Sequence, residues 1–505
     1  MRSIGHCLCL GWLLSASAGG LTTQADSLPT LTALSNGSLA GLNVDVEVPG
    51  FEVRVLRAGE PIYHRAFGDW EIGRVAATDS STKTVSGALM MSVAETSLLP
   101  FDLDSRLGEF LPEYDTPEKQ AMTIRQAFSH TSGLDGQGSS SPILANPDLT
   151  LRQAAFLIGQ QPLVNGPPGS TFAYGGLSMH SAGAAAQIAT GVDYASLFEQ
   201  RLAGPLGMTD SFFALASETH PRVAGGLAST ATDYARFMDM LLNDGVDRVT
   251  GTRVLETASV EEMLTLQTSP DQPIANSPVD NNRYGIGVWL DQLQTGGPGV
   301  DALAAGARGF HSWIDESEEL VFTFATDRSF FGNLRDLSSL MHAAILHDLS
   351  GERAGDLDGD GLVDAIDINL ISAALRSGST GPAFDLNGSG RVDELDRAFL
   401  VTGLLATAPG DSNLDGIVDL IDLSNLASNF ATIGRGWEQG DFDGNSIVNL
   451  VDLSLLATSF GFGETITALP EPKSIMAILA GSVLLMRRVT AVDHSVSAGS
   501  QVTGI

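Results

Sequence analysis

Hydrophobic and polar residues alternate along two short stretches near the start of the chain, residues 48–56 (VPGFEVRVL) and residues 62–68 (IYHRAFG). An alternating pattern of this length predicts β-strands. Residues 57–60 (RAGE) lie between them and contain a glycine, which is typical of a tight turn. The two strands are therefore predicted to pair as a hairpin.

The period changes to that of a helix between residues 85 and 93, where apolar side chains recur at helical spacing. Ser80 lies at the predicted start of this helix, and Lys83 follows one turn later. This spacing puts the alcohol and the amine on the same helix face. A serine hydroxyl becomes a nucleophile when a nearby base removes its proton. Lys83 can be that base if burial or neighbouring charge lowers its pKa.

Lysine is scarce in this chain, which has 27 lysine and arginine residues together but only Lys83, Lys119 and Lys473 as lysines. Arginine keeps its proton and cannot replace lysine as a base. The Ser-x-x-Lys motif by itself is a weak signal, however, so its context decides between a catalytic and an incidental pair.

Four further segments follow: LDSRLGEFLPE at 103–113, HTSGL at 130–134, GPLGM at 204–208 and GGLASTATDYARF at 225–237. With the Ser-x-x-Lys helix, they resemble serine beta-lactamases of class C, D-alanyl-D-alanine carboxypeptidases and their esterase relatives over most of residues 40 to 345. The resemblance implies an α/β (α+β) beta-lactamase/transpeptidase-like domain with an antiparallel sheet flanked by helices. It also implies a serine hydrolase that forms an acyl-enzyme on Ser80 and needs no cofactor for catalysis.

The family's second motif, Tyr-x-Asn, aligns with Tyr174-Gly175-Gly176. The resemblance gives Tyr174 the role of general base or acid beside Lys83, whereas the residue alone would favour a packed aromatic at a strand end. Gly176 stands where a substrate-binding asparagine is expected. The amide that would position the lysine and the substrate is therefore missing at that position.

The family's third motif is Lys-Thr-Gly or His/Ser-x-Gly on a late strand, and it aligns with Ala304-Ala305-Gly306. Gly306 is retained, and it would let the backbone approach a substrate closely. The N–H groups of Ala307 and Ser80 are predicted to form an oxyanion hole, which requires no side chains. Ala304 cannot supply the polar first residue of the motif.

Without that polar residue, recognition of a substrate carboxylate is in doubt. Arg308 and His311 lie close in sequence and could compensate, or could be ordinary surface and strand residues. An ester or amide substrate, with esters favoured over a beta-lactam or a D-alanyl peptide, is therefore expected. The alternative is a catalytically inactive binding or cell-surface module that keeps the fold. His130 is expected to have a structural role.

A different pattern begins near residue 351, where an Asp-rich loop followed by an apolar helix occurs four times. Oxygen-bearing side chains fall at loop positions 1, 3, 5, 9 and 12, which is the spacing that surrounds one calcium ion. The first three loops carry glycine at position 6, and the fourth has Ser446 there. The predicted ligands are Asp356, Asp358, Asp360, Asp364, Asp367, Asp385, Asn387, Ser389, Asp393, Asp396, Asp411, Asn413, Asp415, Asp419, Asp422, Asp441, Asp443, Asn445, Asn449 and Asp452.

Aspartate at position 12 resembles the dockerin pattern, and a plain acidic linker would not pair each loop with an apolar helix. Two small all-α dockerin-type modules are predicted, at residues 351–405 and 406–463. Loop positions 10 and 11 lack the hydroxyl pair typical of cellulosomal recognition. The region could therefore bind a cohesin-like protein or act only as a calcium-stiffened spacer.

Both ends of the chain resemble export and sorting signals. Residues 1–18 have a basic start, an apolar stretch and a small-residue cleavage site, which predicts a signal peptide that contains both cysteines. Residues 464–505 contain Pro-Glu-Pro, a short apolar run and two arginines, and they resemble the bacterial PEP-CTERM sorting tail. A marginal membrane anchor or a buried helix is the alternative reading of this tail.

The length of 505 residues predicts several domains. The hydrolase-like domain is assigned to residues 19–349, between the signal peptide and the repeats. The net charge of −33 argues against a nucleic-acid partner. The protein is expected to be exported to the cell surface, the outer envelope or the medium, with membrane contact through its tail.

Overall fold

The computed structural model describes residues 28–39, 48–97, 99–136, 141–279, 281–293, 300–327, 334–350, 355–358, 362–387 and 391–463. The predicted signal peptide and sorting tail lie outside these residues, as do Asp360 and Ser389 of the predicted calcium loops. Below, the sheet domain denotes residues 28–350 and the repeat region denotes residues 355–463.

The strands in chain order are β1 (Gly50–Arg57), β2 (Glu60–Gly68), β3 (Ala76–Ala77), β4 (Phe172–Ala173), β5 (Phe212–Phe213), β6 (Ala216–Ser217), β7 (His220–Pro221), β8 (Leu227–Ser229), β9 (Ile274–Asn276), β10 (Trp289–Gln292), β11 (Val300–Ala305), β12 (His311–Asp315) and β13 (Leu320–Ala325).

The α-helices in chain order are α1 (Pro29–Leu39), α2 (Thr82–Thr96), α3 (Ile124–Phe128), α4 (Pro142–Ala145), α5 (Leu151–Gly159), α6 (Leu177–Thr190), α7 (Tyr194–Phe198), α8 (Gly204–Leu206), α9 (Ala231–Leu242), α10 (Thr257–Met263), α11 (Leu334–Ser350), α12 (Ala365–Ser377), α13 (Glu394–Ala398), α14 (Leu420–Asn429) and α15 (Leu450–Ser459). No helix in the described parts of the chain combines the length and apolar character needed to cross a bilayer.

The main sheet has the strand order β10-β11-β12-β13-β1-β2, and each neighbouring pair is antiparallel. The predicted hairpin is confirmed, since β1 pairs with β2 around the turn at residues 58–59. On its other edge β1 pairs with β13, which joins the start of the sheet domain to strands more than 260 residues later. The expected antiparallel sheet with flanking helices is therefore present.

Helices cover both faces of this sheet, as β13 illustrates. All six of its residues are buried. Val321 belongs to the cluster of buried side chains that includes α2 and α9, whereas Phe322 belongs to the cluster that includes α1 and α11. A strand buried on both faces needs apolar residues at nearly every position, and the sequence of β13, LVFTFA, meets that requirement.

The predicted helix after Ser80 is α2, and it lies inside the protein. Residues 82–93 are all buried, including serines and threonines as well as the apolar positions. Gly87 explains part of this close packing, because a Cβ atom there would lie 2.2 Å from the carbonyl oxygen of Ile286. The helix is thus held directly against the backbone that leads into β10.

The repeat region forms one cluster of buried residues. Side chains from both predicted modules contribute, including Ile368 and Leu400 from the first and Val418 and Leu456 from the second. Trp437 lies between them, because its backbone N–H donates to Asn369 Oδ1 (2.9 Å) and its indole N–H donates to the Asp411 carbonyl (2.6 Å).

The repeat region also packs against the sheet domain. Helix α13 continues as a π-helix at Phe399–Leu404, and this segment contacts α1. Phe399 is fully buried in the same cluster as Leu31, Leu34 and Met341 of the sheet domain. The first pair of repeats therefore completes part of the apolar cover on the outer face of the sheet.

Replacing Phe399 with alanine should leave a cavity between the two regions and lower the free energy of unfolding by about 3–5 kcal/mol. Urea unfolding measures this loss, and hydrogen exchange should increase in α1. Leu420→Ala is the matched control, because Leu420 is 55% exposed and surface changes cost about 0.5 kcal/mol or less. Unchanged exchange in α1 of the Phe399 variant would contradict the packing described here.

Candidate active site and calcium loops

Ser80 lies in a single 3₁₀ turn, Asp79–Ser81, directly before α2. Its side chain is partly exposed, while the next residue anchors the turn. Ser81 Oγ donates to the Phe310 carbonyl (2.9 Å), and Ser81 O accepts a hydrogen bond from the Tyr234 hydroxyl (2.7 Å). The turn therefore presents one serine to solvent from a fixed backbone.

Asp79 holds a backbone conformation that L-residues rarely adopt, with φ of 45°. Its carboxylate accepts three hydrogen bonds from Arg308: from the backbone N–H (3.1 Å), Nε (2.9 Å) and Nη2 (3.2 Å). Asp is among the few residues that tolerate this region. Arg308 was one of two residues that could recognise a substrate carboxylate in place of the missing polar residue at 304. In the structure its guanidinium is already paired with Asp79.

Lys83 Nζ donates to Ser80 Oγ at 2.9 Å and to the Ala224 carbonyl at 2.8 Å. The side chain is only 4% exposed. Burial, together with the nearby positive charge of Arg222, lowers the pKa of Lys83 to about 7, although Asp79 opposes this shift. A substantial fraction of the amine is therefore neutral at physiological pH and available to accept a proton.

Tyr174 lies beside this pair, with Lys83 Nζ 4.7 Å from the centre of its ring. Burial raises the pKa of Tyr174 to about 12, and hydrogen bonds with Ser80 and Trp289 only partly offset that effect. Its phenol is protonated at neutral pH. Of the two roles the sequence left open, base and acid, the structure therefore favours a proton donor.

His130 holds the segment that carries Tyr174. The His130 carbonyl accepts from the N–H of Ala173 (2.8 Å), and His130 Nδ1 accepts from the N–H of Gly175 (3.4 Å). The two rings lie 4.5 Å apart. Burial and the charge of Lys83 keep the pKa of His130 well below its usual value. This neutral, positioning role agrees with the structural role expected for it.

Gly306 is needed for packing within the protein itself, and its predicted approach to a substrate stays a prediction. A Cβ atom there would lie 2.3 Å from the carbonyl oxygen of Thr78, just before the Ser80 turn. The close approach is therefore to the protein's own backbone. Ala304 is buried within β11. Ala307 is exposed, and its N–H donates to no other described residue, so it is available as an oxyanion donor.

The remaining predicted positions offer no side chain to a substrate. Gly176 is the residue before α6, where its carbonyl accepts from the backbone N–H (3.2 Å) and Nδ1 (2.8 Å) of His180. His311 is fully buried, and its Nδ1 is bonded to the Gly309 carbonyl (2.8 Å). Burial lowers the pKa of His311 to about 4, so it is a neutral core residue.

Sequence reasoning missed Ala224 and Arg222. Both belong to residues 221–225 (PRVAG), and Ala224 lies directly before the segment whose family resemblance was noted at 225–237. The carbonyl of Ala224 holds Lys83 and the charge of Arg222 tunes it. The Gly225-Gly226 pair was the available signal, because it begins that segment and a glycine pair is typical of a turn.

The four loops of the repeat region share one local design. The carboxylate at position 12 accepts from the backbone N–H at position 9 at 2.8 Å in every loop. The side chain at position 9 in turn caps the following helix. The position 12 residues, which are at most 1% exposed, are Asp367, Asp396, Asp422 and Asp452.

The donor set fits a hard cation such as calcium. Carboxylate oxygens of the first loop (Asp356, Asp358, Asp367) lie within 4.8 Å of one another, as do those of the fourth loop (Asp441, Asp443, Asp452). Oxygen ligands in such a group suit calcium.

Two details of the fourth loop strengthen this fit. Asp441 Oδ1 is buried without a hydrogen-bond partner among the described residues. Ser446 adopts the glycine-like conformation predicted for it, with φ of 68°. The fourth loop, which matched the pattern less closely in sequence, therefore gathers its carboxylates as the first does.

Comparison with known proteins agrees with this geometry. The dockerin type I domain matches residues 354–405. An uncharacterized protein of Mycobacterium tuberculosis is 28% identical over 287 residues, which is 48% of this chain and 66% of that relative. Esterase EstB of Burkholderia gladioli is 31% identical over 182 residues, 32% of this chain and 46% of the esterase. The chain thus spans no more than about two thirds of these relatives.

Solved structures support the fold alone. The structure of EstCE1, a hydrolase with promiscuous acyltransferase activity, aligns with 62% of this chain and with 98% of the EstCE1 chain. The TM-score is 0.51 and the sequence identity is 20%. A family VIII carboxylesterase covers 63% of this chain and 98% of its own with a TM-score of 0.51 and 17% identity. The beta-lactamase family itself matches residues 39–344, more than half of the sequence. The chain therefore belongs to the beta-lactamase family and carries a dockerin type I domain after it.

Proposed function

We propose that the protein is an exported serine hydrolase that cleaves esters through an acyl-enzyme on Ser80. The observation that carries the proposal is the 2.9 Å contact between Lys83 Nζ and Ser80 Oγ, made by an amine whose pKa lies near 7. A buried lysine beside a serine is a known way to activate the hydroxyl. Membership of the beta-lactamase family adds to the same conclusion.

The neutral Lys83 amine takes the Ser80 proton as Ser80 Oγ forms a bond to the carbonyl carbon of the substrate. The negative charge that develops on the carbonyl oxygen is held by the N–H groups of Ser80 and Ala307. Tyr174 then donates a proton to the departing alcohol and regains one from Lys83. Lys83 then deprotonates a water molecule, whose oxygen bonds to the acyl carbon. The bond between that carbon and Ser80 Oγ breaks, Lys83 returns its proton to Ser80 Oγ, and the acid is released. Ser80, Lys83 and Tyr174 are each back in their starting protonation state after one cycle.

An ester is favoured over an amide or a beta-lactam because the site has few groups for a peptide-like substrate. Gly176 and Ala304 supply no polar side chain at the two positions where the family has polar residues. Relatives described as an esterase and as a carboxylesterase are consistent with this choice. The alternative, an inactive surface module, rests on the same two substitutions.

The segments outside the hydrolase domain bear on where the protein is located in the cell. A signal peptide at residues 1–18, the hydrolase domain at 19–349, repeats at 351–405 and 406–463, and a PEP-CTERM-like tail at 464–505 would give an exported protein. Dockerin type I domains bind calcium, which supports calcium in these loops. A cohesin-like partner and membrane contact through the tail would place the enzyme at the cell surface.

A fluorophosphonate probe should form one covalent adduct on Ser80, because this is the serine whose hydroxyl contacts a neutral amine. Mass spectrometry of peptides locates the adduct. Ser80→Ala should abolish labelling, and Ser424→Ala, which changes an exposed serine of the repeat region, should not. Folded wild-type protein without an adduct on Ser80 would favour the inactive module.

The rate of ester hydrolysis should rise with pH through about 7, since only deprotonated Lys83 accepts the Ser80 proton. Below that pH, kcat/KM should fall about tenfold per unit. Lys83→Met should lower kcat/KM about 100-fold or more. A pH profile that is flat between 5 and 9 would contradict the role of Lys83.

Calcium should raise the melting temperature of the repeat region, because an ion that binds only the folded state stabilises it. Chelation should unfold this region and lower the melting temperature of the sheet domain, which loses the Phe399 contact, without unfolding that domain, and calorimetry can resolve the two transitions. Asp443→Asn should weaken the response to calcium, whereas Glu438→Gln, an exposed residue outside the loops, should not. Identical melting of the region in calcium and in chelator would remove the calcium assignment.

A further inference from the structure

Arg222 begins a turn that is fixed to the central helix. The Arg222 carbonyl accepts from the N–H of Gly225 (3.0 Å), which closes the turn. The Val223 carbonyl accepts from Ser86 Oγ (2.6 Å), and the Ala224 carbonyl accepts from Lys83 Nζ (2.8 Å). Two residues of α2 therefore hold this turn, one of them the proposed base.

The guanidinium of Arg222 lies near the turn that carries the nucleophile. Its Nη2 lies 3.7 Å from the point where a Cβ atom of Gly225 would be, and the carbonyl oxygen of Asp79 lies 3.6 Å from the same point. Asp79 directly precedes Ser80 in the chain. The Arg222 side chain is thus close to the backbone that precedes Ser80, and the residue is only partly buried.

Arg222 makes no ion pair or side-chain hydrogen bond with any residue that the structure describes. Arginine normally binds carboxylates through its two parallel N–H groups. The charge of Asp79 acts on it, but both oxygens of that carboxylate already accept hydrogen bonds from Arg308. The donors of Arg222 are therefore left for another acceptor.

The local charge also favours an anion. Arg222 and Arg308 contribute two positive charges beside Ser80, and Asp79 contributes one negative charge. Lys83 adds a further positive charge whenever it is protonated. This positive site lies on a protein whose net charge is −33. A partly buried site strengthens such an attraction, because water screens it less there.

We propose that Arg222 binds a carboxylate of the substrate, so that the preferred substrate is an ester that also carries a free carboxylate group. The inference rests on the proposed function of Ser80 and names the substrate class of that site. It gives Arg222 the recognition role for which the sequence offered only Arg308 and His311. Ester cleavage at Ser80 proceeds as described, and Arg222 acts by binding and orienting.

Kinetics with matched esters test this inference. The monomethyl esters of succinate, glutarate and adipate are compared with methyl butyrate, valerate and hexanoate, which have equal acyl lengths without the second carboxylate. Alcohol release is measured at pH 9, where Lys83 is deprotonated. For at least one chain length, wild-type protein should prefer the carboxylate ester about tenfold in kcat/KM, the effect of a charged hydrogen bond.

Arg222→Gln should remove this preference, and Arg222→Lys should keep part of it, because the charge stays but the paired donors do not. Arg57→Gln is the control, since Arg57 is an exposed residue paired with Glu318 at the edge of the sheet. Equal preference in wild type and Arg222→Gln, with hydrolysis still dependent on Ser80, would overturn the inference and leave the proposed function intact.

Binding provides a readout that does not require turnover. The Ser80→Ala protein should bind monomethyl glutarate about tenfold more tightly than methyl valerate in calorimetric titrations. Ser80→Ala/Arg222→Gln should lose this difference. Equal binding of the two esters by the Ser80→Ala protein would overturn the inference. Absence of hydrolysis together with selective binding would reject the proposed function and support Arg222 as the carboxylate site.

Discussion

The chemistry of this protein depends on keeping one amine out of water and against one alcohol. Lys83 is 4% exposed and donates to Ser80 Oγ at 2.9 Å, and burial is the largest cause of its lowered pKa. Burying a cation is costly unless it loses its charge, so the site favours the neutral base. The surrounding structure supplies the burial: residues 82–93 of α2 are all buried, and the Ala224 carbonyl gives the amine a second acceptor.

The sheet domain and the repeat region are less independent than their sequences indicate. The strands β1 and β13 join distant parts of the chain, and α1 and α11 cover the outer face of the sheet. Phe399, from the repeat region, completes that cover. Arg397 from the first pair of repeats donates to the Asp443 carbonyl of the fourth loop (2.5 Å). Order in the calcium loops is thereby connected to packing on the sheet.

Local patterns in the sequence were sufficient for several features. The hairpin, the helix after Ser80 and the four Asp-rich loops are each encoded within about 20 residues, where periodicity and spacing are informative. The positive φ of Ser446 followed from its loop position. Family resemblance correctly led to the beta-lactamase family and the dockerin domain.

Features that depend on distant contacts could not be read in this way. Asp79 and Arg308 are 229 residues apart, and Lys83 and Ala224 are 141 apart. Nothing in the local sequence pairs them. The close approach of Gly306 to the Thr78 carbonyl was not predicted, because Thr78 lies far away in the sequence. The protonation state of Tyr174 likewise follows from burial that only the fold defines.

The most direct test of this account is the titration of Lys83 itself. The chain has three lysines, so NMR of protein labelled in its lysine side chains gives few signals, and Lys83→Met identifies one of them. The signal missing from this variant should titrate near pH 7 in the wild type. A Lys83 signal that titrates near 10.4, the ordinary value for lysine, would contradict it.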